Sequence, residues 1–327
     1  MIRLLRTIAC ALAAPALLLA GAVAPAPVQA ASACYAPEVL KAVPGEEKVR
    51  PHTSTGATLT DRLLPAPKPV PAPLAGSIRR VDLPPGVKLV ALTFDLCEAS
   101  SEVSGYDGAL VDYLRAQGVE ATFFAGGKWM ISHPERASQL IGDARFEVGN
   151  HTWSHANMSV TTDGALQRQV DDADIAFATR RAAAQGAGCN VSQVPERTGL
   201  FRFPYGSCNA QSMSYVNETG HLAIQWDVDS GDPAFLGAKV MAETMLRMIK
   251  PGSIVLMHAN GRGKHTAEAL HILIPALRAK GYRFVTVTDL LAAGTPVIAP
   301  TCYSERPGDT KVYDDAARAG RRILPVQ

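Results

Sequence analysis

The stretch Leu89-Val90-Ala91-Leu92-Thr93-Phe94 runs straight into Asp95, and its reading decides the fold. An apolar run this short, following Gly86 and ending in a carboxylate, reads as a strand buried on both faces. Working outward from residues 88–94, similar runs recur at 121–125, 146–149, 200–203, 222–226, 253–257 and 284–287. Between them lie helical periods at 108–116, 134–141, 164–184, 211–219, 238–249 and 267–279. Leu270, Leu273, Ile274 and Leu277 form an apolar stripe of core residues along one such helix. Strand–helix alternation repeated about seven times predicts an α/β domain with a parallel sheet, most economically closed into a barrel. An open doubly wound sheet is the alternative, and the first strand is not followed by a phosphate-cradling glycine loop.

Polar residues recur where these runs end. Asp95 closes the first, Arg202 sits within Phe201-Arg202-Phe203-Pro204-Tyr205-Gly206, Asp227 and Asp229 follow Ile224-Gln225-Trp226, and His258 follows Ile254-Val255-Leu256-Met257. His151-Thr152-Trp153-Ser154-His155 follows the run ending in Asn150. Two imidazoles so spaced can share a divalent ion. In a parallel barrel, side chains just past the strand ends converge on one mouth. The types present suit metal-assisted hydrolysis of an amide or ester: an ion on His151 and His155, Asp95 to take a proton, His258 to give one, and Arg202 to orient a carboxylate.

The flanks read differently. Residues 1–30 carry Arg3 and Arg6, an apolar stretch from Ile8 to Ala20, and small residues before Ala30, the pattern of a cleaved secretory signal. The expected location is therefore secreted: periplasmic, or extracellular and cell-wall associated, with no stable membrane insertion after cleavage. Cys34 after Ala31-Ser32-Ala33 leaves a lipoprotein alternative open. Loss of the signal leaves 30 basic and 30 acidic residues, so nothing in the charge points to nucleic acid. Residues 31–85 are proline-rich, an extended spacer or a strap across the domain surface. The folded domain is expected at 86–294, with an irregular tail at 295–327. Five cysteines remain after Cys10 leaves, an odd number, and Cys34–Cys302 with Cys189–Cys208 is one conceivable pairing.

Taken in order, Thr93-Phe94-Asp95, His151-x-x-x-His155, Arg202-Phe203-Pro204-Tyr205, Asp229-Ser230-Gly231-Asp232 and Leu256-Met257-His258 resemble the five motifs of the polysaccharide deacetylases, the NodB-homology group of carbohydrate esterase family 4. The resemblance covers residues 88–291. It implies a distorted, incomplete (β/α) barrel that removes N- or O-acetyl groups from polysaccharide with a divalent metal, usually zinc. It implies Asp95 as general base, His151 and His155 as metal ligands, and Arg202 as the partner that positions Asp95. It further implies that the Tyr205 backbone N–H stabilises the oxyanion, that Asp229 tunes the general acid His258, and that Leu256 lines the acetyl pocket.

One departure matters. The family has a second aspartate after the first, as third metal ligand, and this chain reads Asp95-Leu96-Cys97-Glu98. Glu98 is the first candidate for that place, although it can equally be a solvent-facing loop residue; Cys97 is the second and Asp95 itself the third. On the first choice, Glu98→Ala lowers zinc retention and Cys97→Ser does not. His52, His133, His221 and His271 are read as without function, and Trp153 as packing beneath the site or stacking on a sugar. The glycine-rich loop at 260–265 can form part of a substrate rim. The expected substrate is an N-acetylated polysaccharide: peptidoglycan, a chitin-like chain or poly-N-acetylglucosamine. A carbohydrate- or wall-binding protein without catalysis, suggested by Leu96, and a small-molecule amide or ester hydrolase are the alternatives.

Overall fold

The computed structural model describes residues 34–51, 59, 62–234 and 236–321; the expected signal peptide lies outside them. The main sheet is built from β1 (Ser77–Asp82), β2 (Leu89–Leu96), β3 (Ala121–Ala125), β4 (Phe146–Asn150), β5 (Leu200–Phe201), β6 (Leu222–Ile224), β7 (Val228–Asp229), β8 (Ile254–His258), β9 (Arg283–Phe284) and β10 (Thr295–Ala299). Their order is β10-β1-β6-β5-β4-β3-β2-β8-β7, with β9 added to the start of β2. Every pairing is parallel except β10 with β1. The sheet curls, and the segment leading into β8 meets β1: Val81 N donates to Gly252 O at 2.9 Å, and Arg80 bridges Ser253. This is the distorted, incomplete barrel, with two strands that the run-by-run reading did not contain, β7 and β10, and a third, β1, hidden in the proline-rich region.

Two cores flank the sheet. Val90, Leu92, Phe94 and Leu96 face outward into a cluster with helix residues such as Leu110, Leu114, Leu270 and Leu273. Leu89 and Ala91 face inward with Ile78, Phe124, Ile224, Trp226, Ile254 and Leu256. Period-two alternation along β2 and β8 therefore divides their side chains between the helical layer and the barrel interior. The helices α1 (Gly108–Ala116), α3 (Pro134–Gly142) and α4 (Asp163–Gly186) fall close to expectation, whereas the short α2 (Gly127–Ser132) was not among the helical periods. Asp107 caps α1 by accepting from Leu110 N. Val287 begins a short helix instead of continuing β9, because Thr286 caps it through Asp289 N.

Both flanks are built into the domain, so the sheet runs past 86–294 on either side. Glu46 and the carbonyls of Val39, Leu40 and Lys41 bind the Arg136 guanidinium, and Val70 N donates to Asn217 O. Where it is described, the proline-rich extension is thus a surface strap. The disulfides are Cys34–Cys189 and Cys208–Cys302, and Cys97 is free. The pairing Cys34–Cys302 with Cys189–Cys208 is corrected: the N-terminal strap passes the loop after α4, whereas Cys302 passes the loop after β5. Residues 295–321 are not irregular either, since β10 is followed by a helix at Lys311–Arg318. Among the described residues no helix is long and apolar enough to cross a membrane.

The barrel seam rests on one glycine. Gly252 has φ +86°, and a Cβ there would stand 1.7 Å from Val81 O. Gly252→Ala combines a left-handed backbone with a clash against a strand carbonyl, so we expect a loss of more than about 2 kcal/mol, measured by urea unfolding.

Candidate active site

Asp95 and His258 are register partners on β2 and β8. Both point to the interior, and both lie at the strand ends that open on a cavity of about 360 Å³. The same cavity is lined by Cys97, His155, Tyr205, Trp226, Asp229 and Leu256. Asp95 is held by Arg202, whose Nη1 donates to Asp95 Oδ1 at 2.9 Å. Arg202 is fully buried, lies 4.0 Å from the Phe124 ring centre and 5.5 Å from that of Trp226, and donates to the carbonyls of Ile224 and Gln225 at 3.3 Å. Burial works against its charge, and Asp95 works for it. A guanidinium so enclosed has one rotamer and one carboxylate to satisfy.

The first histidine is fixed from behind. His151 Nδ1 lies 2.9 Å from Arg202 O, a carbonyl that can only accept, so Nδ1 carries the proton and Nε2 a lone pair. Nε2 is buried without a hydrogen-bond partner, 3.4 Å from Asp95 Oδ2. Asn150, one residue earlier, holds the turn: its amide donates to Val170 O and Asp174, and its oxygen accepts from Thr152 N. Thr152 and His155 take left-handed backbone (φ +66° and +55°), which folds the segment back so that the imidazole centres stand 5.0 Å apart. Such conformations cost of order 1–3 kcal/mol each. His155 Nδ1 contacts Tyr205 Oη at 3.1 Å, and Tyr205 is itself left-handed at φ +61°. Burial lowers the pKa of both imidazoles, His155 most, so each is neutral at pH 7.

A donor atom from each of Cys97, His151 and His155 lies within 4.8 Å of the others. Bonds of about 2.0–2.3 Å to one ion can draw such a set together. The orphaned His151 Nε2 and the clustered sulfur and nitrogen donors fit a divalent metal. Burial, reinforced by Asp95, pushes the Cys97 thiol up to about 12, and a bound cation reverses that balance. Asn260 Nδ2 donates to Cys97 Sγ at 3.0 Å, orienting the sulfur.

Glu98 is not part of this set, and its assignment as third ligand is corrected. Its carboxylate accepts from Ser104 N at 3.1 Å and Ser132 Oγ at 2.7 Å, with Lys128 Nζ 3.7 Å away. Alternation explains the exchange: Asp95 and Cys97 face the interior, while Leu96 belongs to the helix-side core and Glu98 turns to the loop after β2. That period was legible in Phe94-Asp95-Leu96-Cys97-Glu98 and would have placed Cys97 first.

The partner of His258 is also corrected. Asp232, not Asp229, meets its imidazole, with Oδ1 at 2.8 Å from Nδ1, and its Oδ2 accepts from His258 N at 2.7 Å. Asp229 instead accepts from Gly231 N and stands in the cavity wall. Burial lowers the His258 pKa, but Asp232, aided by Asp95 and Asp229, overcomes it and raises the group to about 9. Leu256 lines the cavity. Asp227 accepts from Ile254 N and Ser253 Oγ and secures the start of β8. His221 is a buried structural residue bound to Asp174, Thr198 and Thr219, and Trp153 packs against the outer core. Arg262, from the glycine-rich loop, and Tyr313, from the C-terminal helix, line the cavity without having been singled out.

The comparisons agree with this geometry. Residues 82–224 match the family model described as polysaccharide deacetylase. The chain is 30% identical over 213 residues to a peptidoglycan-N-acetylglucosamine deacetylase of Bacillus cereus, covering 64% of this chain and 91% of the relative. It is also 30% identical over 244 residues to the corresponding enzyme PgdA of Listeria monocytogenes, covering 69% of this chain but only 47% of that longer protein. Among solved structures, a carbohydrate esterase family 4 pseudoenzyme from Bacillus anthracis superposes with a TM-score of 0.55 at 27% identity, covering 66% of this chain and 69% of the other. Ordered motifs, curled parallel sheet and relatives converge, and the chain belongs to the polysaccharide deacetylase family.

Proposed function

We propose that this protein is an exported, metal-dependent deacetylase of N-acetylated glycan, with peptidoglycan the first substrate to test because the relatives above are named for it. One observation carries the reading: a paired carboxylate, a carboxylate-bound imidazole, Cys97 and His155 line one cavity, with a donor atom of His151 within 4.8 Å of those of Cys97 and His155. Cys97, His151 and His155 would hold the ion, and a site of one sulfur and two nitrogens suits zinc. When bound, the ion supplies Lewis acidity and a water of depressed pKa.

The remaining chemistry belongs to the chain. Asp95, aimed by Arg202, accepts a proton from the attacking water. The Tyr205 backbone N–H donates to the developing oxyanion from its left-handed turn. His258, protonated through Asp232, gives its proton to the departing amine, and Leu256 borders the space for the acetyl methyl. Arg202 and Asp232 act through their neighbours and are positioning residues.

Acetate release from chito-oligosaccharides and from peptidoglycan fragments tests the reading. Asp95→Asn and His258→Ala are each expected to lower kcat by about 10²–10⁴-fold, and unchanged rates would remove both assignments. No acetate release by the wild type, with oligosaccharide still bound, would favour the binding-protein alternative.

Metal content separates the ligands. In native mass spectrometry Cys97→Ala is expected to lose most zinc at a chelator concentration that leaves the wild type loaded, whereas Glu98→Ala retains it. The reverse pattern would restore Glu98.

The Asp232 contact has a signature in pH. A general acid works only while protonated, so activity falls as pH rises through the His258 pKa. Asp232→Asn removes the anion that raises it, and the alkaline limb of kcat/KM is expected to move down toward the ordinary histidine value near 6.5. A limb that stays in place would detach Asp232 from His258.

A further inference from the structure

Residues 302–318 are tied down more firmly than a tail requires. Cys302 is bonded to Cys208, two residues beyond the turn of Tyr205 and Gly206. The buried Arg79 guanidinium donates to the carbonyls of Tyr303 and Ser304 and lies 4.0 Å from the Tyr303 ring centre. Asp309 accepts from the backbone N–H groups of Ser304, Glu305 and Arg306, closing a tight loop. Asp314 Oδ1 accepts from Asn157 Nδ2 at 2.9 Å and from Ser207 Oγ at 2.5 Å, binding the helix at Lys311–Arg318 to the segments that follow His155 and Tyr205.

The consequence of these attachments is the placement of Tyr313. Its ring is half-buried, 5.5 Å from that of Tyr205, and it lines the cavity together with Asp95, His155 and His258. Ser304 stands in the same wall. Nothing in the hydrolysis derived above uses either residue. A rigid aromatic at the rim of a cavity of about 360 Å³ offers a flat apolar face with a polar edge, the pairing that suits a pyranose with C–H groups on one face and hydroxyls around its rim.

We propose that this disulfide-tethered strap is a substrate-binding wall, in which Tyr313 is the platform for the sugar ring that carries the acetyl group. It makes the C-terminal segment a determinant of specificity for glycan over small acetylated compounds. The proposal rests on the deacetylase reading for its substrate class, and the test keeps the two apart.

Tyr313→Ala, Tyr313→Leu and Tyr313→Phe would be compared with the wild type on N-acetyl chitotetraose and on 4-nitrophenyl acetate, with chitotetraose affinity measured separately by calorimetry. Tyr313→Ala and Tyr313→Leu are expected to lower kcat/KM for the tetraose at least tenfold more than for the ester, mainly through KM, and to weaken calorimetric binding by a similar factor. Tyr313→Phe, which keeps the ring, is expected to remain within about threefold of the wild type on both measures. Equal losses on both substrates would mean that Tyr313 merely supports Tyr205, and the proposal falls. Unaltered affinity for the tetraose in all three variants would overturn it as well. If the wild type binds the tetraose without releasing acetate, and Tyr313→Ala loses that binding, the wall stands while the hydrolytic reading fails.

Discussion

The site depends on the two-residue period of one strand. β2 is buried on both faces, so its register cannot slip without sending an entire row of side chains to the wrong core. Val90, Leu92, Phe94 and Leu96 commit one face to the helices, and that leaves Asp95 and Cys97 for the interior. The same constraint on β8 puts Val255 and Met257 outside and aims Leu256 and His258 inward. Because β2 and β8 are adjacent and parallel, packing alone sets a carboxylate beside an imidazole. The pairing of acid and imidazole thus follows from apolar alternation before any polar contact is formed.

Electrostatics then gives similar side chains different states. Asp95 lies 3.4 Å from His151 Nε2, but burial outweighs it and keeps both His151 and His155 neutral, the form a metal needs. His258 is buried too, yet Asp232 lies against its ring and holds it protonated well above neutrality. Three neighbouring imidazoles are thereby sorted into two neutral rings and one charged ring by the surroundings of each. Arg202 orients Asp95, and its cost of burial is offset by two aromatic faces and two carbonyls as well as the carboxylate.

Most of the layered fold could be read from the chain because its strands and helices are long enough to show their periods. The run at 121–125 and the helical period at 108–116 coincide with β3 and α1. β7 was missed because two residues carry no period, and β1 because Ser77-Ile78-Arg79-Arg80 breaks the apolar pattern and follows a run of prolines. Arg79 is polar for a reason outside its own segment, since it clamps Tyr303 and Ser304. The site was legible as far as strand ends reached. Asp95, His151, Arg202 and His258 were singled out there and lie together in space, whereas the choice of Asp232 over Asp229 as neighbour of His258 depended on how the turn Ser230-Gly231 folds, with Gly231 at φ +67°. Glu98 was preferred to Cys97 on ligand chemistry alone, although alternation favoured the sulfur. Tyr313 lies 55 residues beyond His258, and only tertiary contacts bring it to the cavity.

The covalent link between Cys208 and Cys302 gives the cavity a dependence that its chemistry does not share. Asp95, Cys97 and the three histidines stand on the sheet or on loops fastened to it, and they need no oxidation to assemble. The wall bearing Tyr313 closes a chain loop of 94 residues through that one bond. Reduction would take the covalent tie from this rim and leave it to the hydrogen bonds of Arg79 and Asp314. The redox character of the surroundings therefore bears on the rim of the cavity rather than on the strand residues at its floor.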